Sequence, residues 1–462
     1  MTNFCTLYAD VPVITFEKRS LESPLSKQMA RAEQDIAKCR VGGAVIDMTA
    51  LHQIKDAEMS EILEMALRLS ALVKLAFVAD EAQQKQFDTH GVAALFSTHS
   101  SFELAMESAD IRRHALARTT VFIYAAGPSP QLDQILAGRP ACHPQFPGLT
   151  PLERCVMDVA AMGPRNLIVH LAQSATEICT RLRQLVSPDT NLQIVADGTV
   201  HHGHWHAGAA EFLPALLGAY NAGFGWGGDV LAIDAGMLIS GDLVKFVANH
   251  KANRAKLSVP KNHGTPPVFA LSESALAYLT SRDGVDNLAQ LPDRIATAEG
   301  DAKYFEFDGI SFINACSATG HFDLWCDLLQ SGQELVAGYK RTSQNIIAHD
   351  SARIEAIIPP YTGLVVGPQS VVERGANLGG TVIIGGGCHV CSGSYTADSI
   401  LTYGTQVLSG AWVSDMFIGP NWAYSFRPEP TLPLNLSPAE YVTWAEEQPA
   451  IAQDDLALLR TA

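Results

Sequence analysis

The stretch VGPQSVVERGANLGGTVIIGGGCHV (366–390) carries an aliphatic residue at every sixth position, with glycine or proline in between. A period of six predicts three short faces per turn of chain, each presenting one inward aliphatic side chain. We therefore predict a left-handed parallel β-helix over residues 354–425. The pattern loses register within SGSYTADSI (392–400) and returns at Val407 and Val413. The regularly spaced residues are Val366, Val372, Leu378, Ile384 and Val390.

Upstream, residues 119–340 show the strand and helix alternation of an α/β domain. The domain opens with TVFIYAAGPSPQL (120–132), an apolar strand that ends in small residues. Residues 125–127 are small enough for a ligand to approach the backbone, whereas the two prolines within 128–130 remove two N–H donors that a phosphate would need. The alternative is a plain strand followed by a proline-rich loop.

The first part of the chain, residues 1–115, is also predicted as an α/β unit. Strands are expected at 11–16 and 74–80, and a helix is expected over 102–117. At the other end, residues 426–462 are expected to form a tail with a short acidic helix. The predicted fold class is thus α/β with several domains.

The amino-acid composition disfavours some classes of binding partner. The 462-residue chain has 48 acidic and 32 basic side chains, a formal charge of −16, which disfavours nucleic acid and anionic membranes. No apolar stretch reaches the roughly 18 residues that cross a bilayer, and the N-terminus lacks a signal-peptide pattern. Nine scattered cysteines fit reduced thiols. We therefore expect a cytoplasmic globular protein without membrane insertion.

The segment AVIDMTALHQIKDAEMSEIL (44–63) resembles the strand, turn and helix of STAS domains, the family of the anti-sigma factor antagonists. The resemblance implies a protein partner that binds through residues 1–115, or docking of this unit to the rest of the chain. The serine that the family phosphorylates falls at Ala57, so phosphorylation cannot switch this turn. Asp56 is expected to cap the following helix, with Glu58 in its first turn.

Residues 119–420 resemble the sugar-1-phosphate nucleotidyltransferases, which combine a GT-A-like, Rossmann-type α/β domain with a hexapeptide-repeat β-helix. The resemblance runs through VFIYAAGPSPQL (121–132), HWHAGAAEFLPAL (204–216), DVLAIDAGML (229–238) and FEFDGISFINACSATGHFDLWCDLL (305–329). It implies a nucleotide or sugar pocket, which we place by these motifs at Ala125, Ala126, Gly127, Ala207, Gly208, Asp234, Gly236 and Asn314.

The family's reaction joins a sugar phosphate to a nucleoside triphosphate, and it needs Mg²⁺ on carboxylates and cations on the phosphates. Here the signature loop has no arginine, and ACHPQFPGL (141–149), where the family has a lysine, has no lysine or arginine. The two metal-binding carboxylates align with Gly236 and Asn314. The loss of the arginine, the lysine and both metal-binding carboxylates predicts a pseudoenzyme without a cofactor. If activity survives, Asp234 is the candidate catalytic residue and Mg²⁺ the cofactor, with help from Asp242 or Asp323.

Two further patterns suggest metal binding. Within HHGHWH (201–206), His202, His204 and His206 would share one face of an extended chain, although a polar loop with incidental histidines is favoured because no cysteine or carboxylate completes the set. Cys388 and Cys391 flank a ladder valine, and both are expected at packed corners of the repeat, not in a metal site.

The function that follows is a non-catalytic scaffold or regulator derived from a nucleotidyltransferase, connected with surface polysaccharide production. Flat β-helix faces favour a homo-oligomer. The alternatives are an active enzyme that makes a nucleoside diphosphate sugar with a rearranged metal site, and a partner switch driven by the STAS-like unit.

Overall fold

The computed structural model is mixed α/β, with several sheets in which parallel pairing dominates. None of the helices in the described part of the chain combines the length and apolar character needed to span a bilayer. The structure describes residues 5–17, 24–51, 54–91, 95–125, 151–171, 176–196, 209–223, 226–261, 267–280, 291, 304–314, 318–330, 338–420 and 422–425.

The N-terminal unit is one five-stranded sheet whose strands lie in chain order. The first pair is antiparallel, and the other pairs are parallel. The strands are β1 (Cys5–Tyr8), β2 (Val11–Thr15), β3 (Gly43–Asp47), β4 (Lys74–Val78) and β5 (Ser97–His99). The helices are α1 (Leu25–Cys39), α2 (Asp56–Ser70), α3 (Glu81–Thr89), α4 (Phe102–Glu107) and α5 (Ala109–Arg112).

Two local predictions in this unit are wrong. The helix expected over 102–117 is broken at Ser108, which has a non-helical ψ of 136°. The Ser108 hydroxyl donates a hydrogen bond to the Ala105 carbonyl at 2.7 Å. The cap of α2 is not Asp56 but Lys55, whose backbone N–H donates to the Glu58 carboxylate at 2.9 Å. The first difference comes from a short-range hydrogen bond that competes with the helix. In the second, the Glu58 carboxylate satisfies the Lys55 N–H and the helix begins with Asp56 already inside it.

The middle of the chain builds a seven-stranded sheet in the order β13-β11-β12-β9-β6-β7-β8 and a two-stranded ribbon, β10-β14. Its strands are β6 (Thr120–Ala125), β7 (Asn166–Leu171), β8 (Leu192–Ala196), β9 (Val230–Asp234), β10 (Met237–Gly241), β11 (Leu257–Pro260), β12 (Val268–Leu271), β13 (Tyr304–Phe307) and β14 (Ile310–Asn314). Its helices are α6 (Pro151–Ala160), α7 (Thr176–Leu185), α8 (Ala209–Asn221), α9 (Leu243–Ala252), α10 (Glu273–Thr280) and α11 (Ala318–Gln330).

Helices cover both faces of this sheet because alternate side chains of β6 enter different cores. Val121 and Ile123 pack in the core that contains residues of α6, α7 and α9. Phe122 and Tyr124 pack in the core that contains residues of α8 and α10. The chain visits β7 and β8 on one side of β6 and then returns to β9 on the other side. In open α/β sheets a crevice forms at such a reversal, which here lies at the carboxyl ends of β6 and β9.

The N-terminal sheet shares a core with the middle sheet, since Val11 and Val45 belong to the same cluster as Val121. A buried polar contact lies at this junction. The Asp10 carboxylate, 1% exposed, accepts hydrogen bonds from the Arg118 N–H and the Thr119 hydroxyl, both at 2.9 Å, and pairs with the Lys251 ammonium. The two units are therefore joined by apolar packing and by an ion pair.

The C-terminal part holds an eight-stranded and a four-stranded sheet. In the four-stranded sheet the strand order is β17-β19-β21-β23, and the eight-stranded sheet contains the other strands of this part of the chain. The strands are β15 (Tyr339–Ser343), β16 (Ile346–His349), β17 (Arg353–Ile354), β18 (Gly363–Val366), β19 (Val371–Val372), β20 (Asn377–Ile384), β21 (His389–Val390), β22 (Tyr395–Leu401), β23 (Gln406–Val407), β24 (Trp412–Ser414), β25 (Met416–Gly419) and β26 (Trp422–Ser425).

The predicted ladder positions are buried, and parallel partners lie eighteen residues apart, as Val372 and Val390 do. The next turn of chain is one residue shorter, because Val382 pairs with Ser399. The shift occurs where two residues of β20 lie opposite Asp398. It explains why the period fails within 392–400. The left-handed β-helix stays a prediction, and the predicted tail, 426–462, lies outside the described residues.

We predict that Gly380→Ala destabilises the protein by about 2–3 kcal/mol. Gly380 has a φ of 57°, and an added Cβ would overlap the Asp398 carboxylate, which accepts the Thr381 N–H at 2.9 Å. The control is Gly410→Ala, which has a φ of 80° but open space around the added carbon and is expected to cost only about 1–2 kcal/mol. Denaturant unfolding compares them, and equal losses would contradict the role of Asp398.

We also predict that Asp10→Ala lowers the free energy of unfolding by about 3–5 kcal/mol, because it leaves the Lys251 ammonium without its buried counter-charge. The control is Glu81→Ala, which removes the exposed ion pair with Lys85 and is expected to cost less than about 1 kcal/mol. Denaturant unfolding measures both. A loss at Asp10 no larger than that at Glu81 would show that the junction does not depend on this ion pair.

Candidate functional site

The crevice at the ends of β6 and β9 contains the described part of the predicted pocket. Ala125 is the last residue of β6, and Asp234 is the last residue of β9. Tyr124 and Asp234 are partners in the parallel register, and the Ala235 N–H donates to the Tyr124 carbonyl at 2.9 Å. The two strand ends are thus fixed side by side, and Ala125 is half-buried.

Asp234 is half-buried, and its carboxylate makes a hydrogen bond to the backbone. One carboxylate oxygen accepts the Gly236 N–H at 2.8 Å, which closes a tight turn after β9. Burial raises the pKa of this carboxyl to about 6, although the bond from Gly236 opposes the shift. The carboxyl therefore ionises closer to neutral pH than an ordinary aspartate does, and one of its oxygens stabilises the turn.

Asn314 reaches the same place through the ribbon. Its backbone pairs with Met237, three residues after Asp234, in the antiparallel register of β10 and β14. The backbone therefore brings together Asp234, Gly236 and Asn314, which the sequence placed in one pocket.

A thiol lies close to Asp234. Burial raises the pKa of Cys155 on α6, and the carboxyls of Asp158 and Asp234 add to this effect, so Cys155 stays a neutral thiol at physiological pH. Among the described residues at the ends of β6 and β9, Asp234 offers one carboxylate, and the neutral Cys155 thiol is a poor ligand for Mg²⁺, which prefers oxygen.

Beneath the crevice lies a column of stacked rings. Tyr124 stacks on His170 with ring centroids 5.7 Å apart, and it stacks on Phe212 at 5.2 Å. Sequence analysis missed this column, because its members lie on β6, β7 and α8 and meet only through strand register and helix packing. The available signal was a tyrosine and a histidine within two otherwise apolar strands.

The two carboxylates proposed as substitutes for the lost metal ligands differ. Asp242 caps α9, since its carboxylate accepts the N–H groups of Val244 and Lys245 at 2.9 and 3.2 Å. It therefore has a structural role. Asp323 lies within α11, where burial raises the pKa of its carboxyl. Several predicted residues lie outside the described parts of the chain: Ala126, Gly127, Ala207, Gly208, His202, His204 and His206.

The two cysteines of the C-terminal repeat have different environments. Cys388 is buried, as expected, and its thiol donates to the Thr402 carbonyl at 2.9 Å. Cys391 is only half-buried and lies beside Glu373 and His389. The expectation of a packed residue is confirmed for Cys388, whereas Cys391 is less buried and directly follows β21.

No protein-family model matches the chain, and no curated protein shows significant sequence similarity to it.

We predict that Asp234→Asn stabilises the protein at pH 7.5 relative to wild type. A folded-state pKa of about 6, above the ordinary value of about 3.9, means that the folded protein holds the proton more tightly. The stability contributed by protonated Asp234 is present below about pH 4 and is lost as the pH rises through 6. The amide keeps an acceptor for the Gly236 N–H and does not ionise.

Thermal unfolding at pH 4 to 7.5 tests this prediction. The stability of Asp234→Asn relative to wild type should increase as the pH rises across that range. Asp242→Asn is the matched control, because it changes the same side chain at a helix cap and should show no such gain. A stability difference between Asp234→Asn and wild type that does not vary with pH would contradict the raised pKa.

Proposed function

We propose that the protein is a non-catalytic scaffold or regulator, derived from a sugar-1-phosphate nucleotidyltransferase, that binds a neutral sugar or nucleoside in the crevice at the ends of β6 and β9. The observation that carries this proposal is the state of Asp234, whose carboxylate accepts the Gly236 N–H and has a pKa raised to about 6. A site with this carboxyl at the end of β9 disfavours a triphosphate, whose charge has the same sign, and suits an uncharged ligand.

The architecture supports a nucleotide-binding ancestry. Four parallel strands lie in the order β8-β7-β6-β9, in which the first strand of the sheet neighbours the second and the fourth. Mononucleotides bind at such a switch point in open α/β sheets. The small residues after Tyr124 would let a base or a sugar approach the backbone. The stacked Tyr124 and His170 rings provide an apolar floor below.

We further propose that the C-terminal repeat is a left-handed β-helix that mediates homo-oligomerisation. The eighteen-residue spacing between parallel partners and the buried ladder residues support three faces per turn. A connection with surface polysaccharide production follows from the family that residues 119–420 resemble. This part of the proposal concerns assembly and does not depend on what the crevice binds.

The N-terminal unit is proposed to be STAS-like and to contact a protein partner. Its shared core with the middle sheet and the Asp10–Lys251 ion pair favour a fixed unit over one that detaches to switch partners. The first turn of α2 carries Ala57, which has no hydroxyl to phosphorylate. These features favour the scaffold function over the partner switch.

Two measurements on the full-length protein test the proposed function. With Mg²⁺, each nucleoside triphosphate and a panel of sugar 1-phosphates, we expect no release of pyrophosphate above the background without protein. Calorimetry should detect a nucleoside or a neutral sugar binding more tightly than the corresponding triphosphate. Release of pyrophosphate that Asp234→Ala abolishes and Asp242→Asn preserves would establish the rival function, an active nucleotidyltransferase with a rearranged metal site.

A further inference from the structure

Three side chains with metal-binding atoms meet on the outer face of the four-stranded sheet. They are Glu373, His389 and Cys391, which we call the surface triad. One ligand atom from each lies within 4.8 Å of the other two, and all three residues are half-buried. An ion can therefore reach the triad from solvent. The triad is separate in sequence from every residue of the proposed ligand pocket.

The register of the parallel ladder brings the triad together. Val372 pairs with Val390, and the Glu373 N–H donates to the Val390 carbonyl at 2.9 Å. Glu373 and Cys391, the residues that follow these valines, are thus lateral neighbours on adjacent strands. His389 precedes Cys391 by two positions and so lies on the same side of the strand. A repeat of eighteen residues gives a carboxylate, an imidazole and a thiol on one surface.

Backbone and side-chain contacts orient the carboxylate. One oxygen of Glu373 contacts His389 Nε2 at 2.7 Å, and the other accepts the Ser392 N–H at 2.8 Å. A hydrogen bond on the second oxygen of a ligating carboxylate is the usual way in which a protein fixes such a ligand. The paired strands β19 and β21 fix the backbone at or next to all three residues. Only the side chains therefore need to become ordered when an ion binds.

We propose that the surface triad is a binding site for a divalent transition-metal ion of the zinc type. The ligands are Cys391 Sγ, a ring nitrogen of His389 and one oxygen of Glu373, with water in a fourth position. A thiolate and an imidazole select zinc or cobalt over magnesium and calcium, which prefer oxygen ligands. On binding, the Cys391 thiol releases its proton to solvent and a sulfur–metal bond forms.

The distances fit a metal after small side-chain rotations. Zinc lies about 2.0–2.3 Å from nitrogen, oxygen and sulfur ligands in a tetrahedral site, so ligand atoms are separated by roughly 3.3–3.8 Å. The triad spans at most 4.8 Å, and its exposed side chains have room to close around an ion. Cys388 is not a ligand, because its thiol is buried and donates to the Thr402 carbonyl.

Cobalt titration of the metal-free full-length protein tests the proposal, because a cobalt–thiolate bond gives a sulfur-to-metal charge-transfer band in the near ultraviolet. The band distinguishes the triad from the histidines of 201–206, which have no neighbouring thiol in sequence. We expect the band to saturate at one equivalent of Co²⁺ and to disappear when Zn²⁺ displaces the cobalt. Zn²⁺ affinity is measured by calorimetry.

Variants assign the ligands. Cys391→Ser should abolish the band, and His389→Gln and Glu373→Gln should each weaken metal binding by on the order of 100-fold. Cys179→Ser is the matched control, since it removes a half-buried thiol outside the triad and should leave the band unchanged. Far-ultraviolet circular dichroism checks that each variant folds. Absence of the band in the wild-type protein, or its persistence in Cys391→Ser, would overturn the proposal.

Discussion

The parallel pairing of β6 with β7 on one side and β9 on the other is the constraint on which the middle of the molecule depends. Because β6 is buried on both faces, it needs helices above and below it, and its alternate side chains enter two separate cores. The chain can reach β9 only by crossing back past its first strand, and this reversal opens the crevice. The position of the proposed ligand pocket is therefore a result of topology, and Asp234 lies at the end of one of its two strands.

Two carboxylates of the middle unit stabilise the backbone. Asp234 closes a turn through Gly236, and Asp242 caps α9. The buried ion pair between Asp10 and Lys251 has a comparable structural role, since it joins the N-terminal sheet to the middle one. A buried ion pair gains little net stability, but it fixes the position of one unit on the other. Such a junction suits a scaffold better than a partner switch.

Much of the fold could be predicted from local pattern. The period of six identified the buried ladder residues, and apolar runs identified β6, β7 and β9, because burial leaves a direct trace in sequence. The one-residue shift opposite Asp398 could not be predicted, since it depends on a positive φ at Gly380 and on a side chain from the next turn of chain. The surface triad was predictable in principle, because Glu373 and Cys391 lie one full turn of eighteen residues apart. The stacked Tyr124 and His170 needed the strand register.

The most direct test of the central claim, a crevice that binds without catalysing, is a crystal structure determined after soaking with a nucleoside and, separately, with a nucleoside triphosphate and Mg²⁺. The account predicts density for the nucleoside above the carboxyl ends of β6 and β9, with the Asp234 carboxylate still bonded to the Gly236 N–H. In the second soak it predicts no magnesium ion at Asp234. A triphosphate held through Mg²⁺ by Asp234 would contradict it.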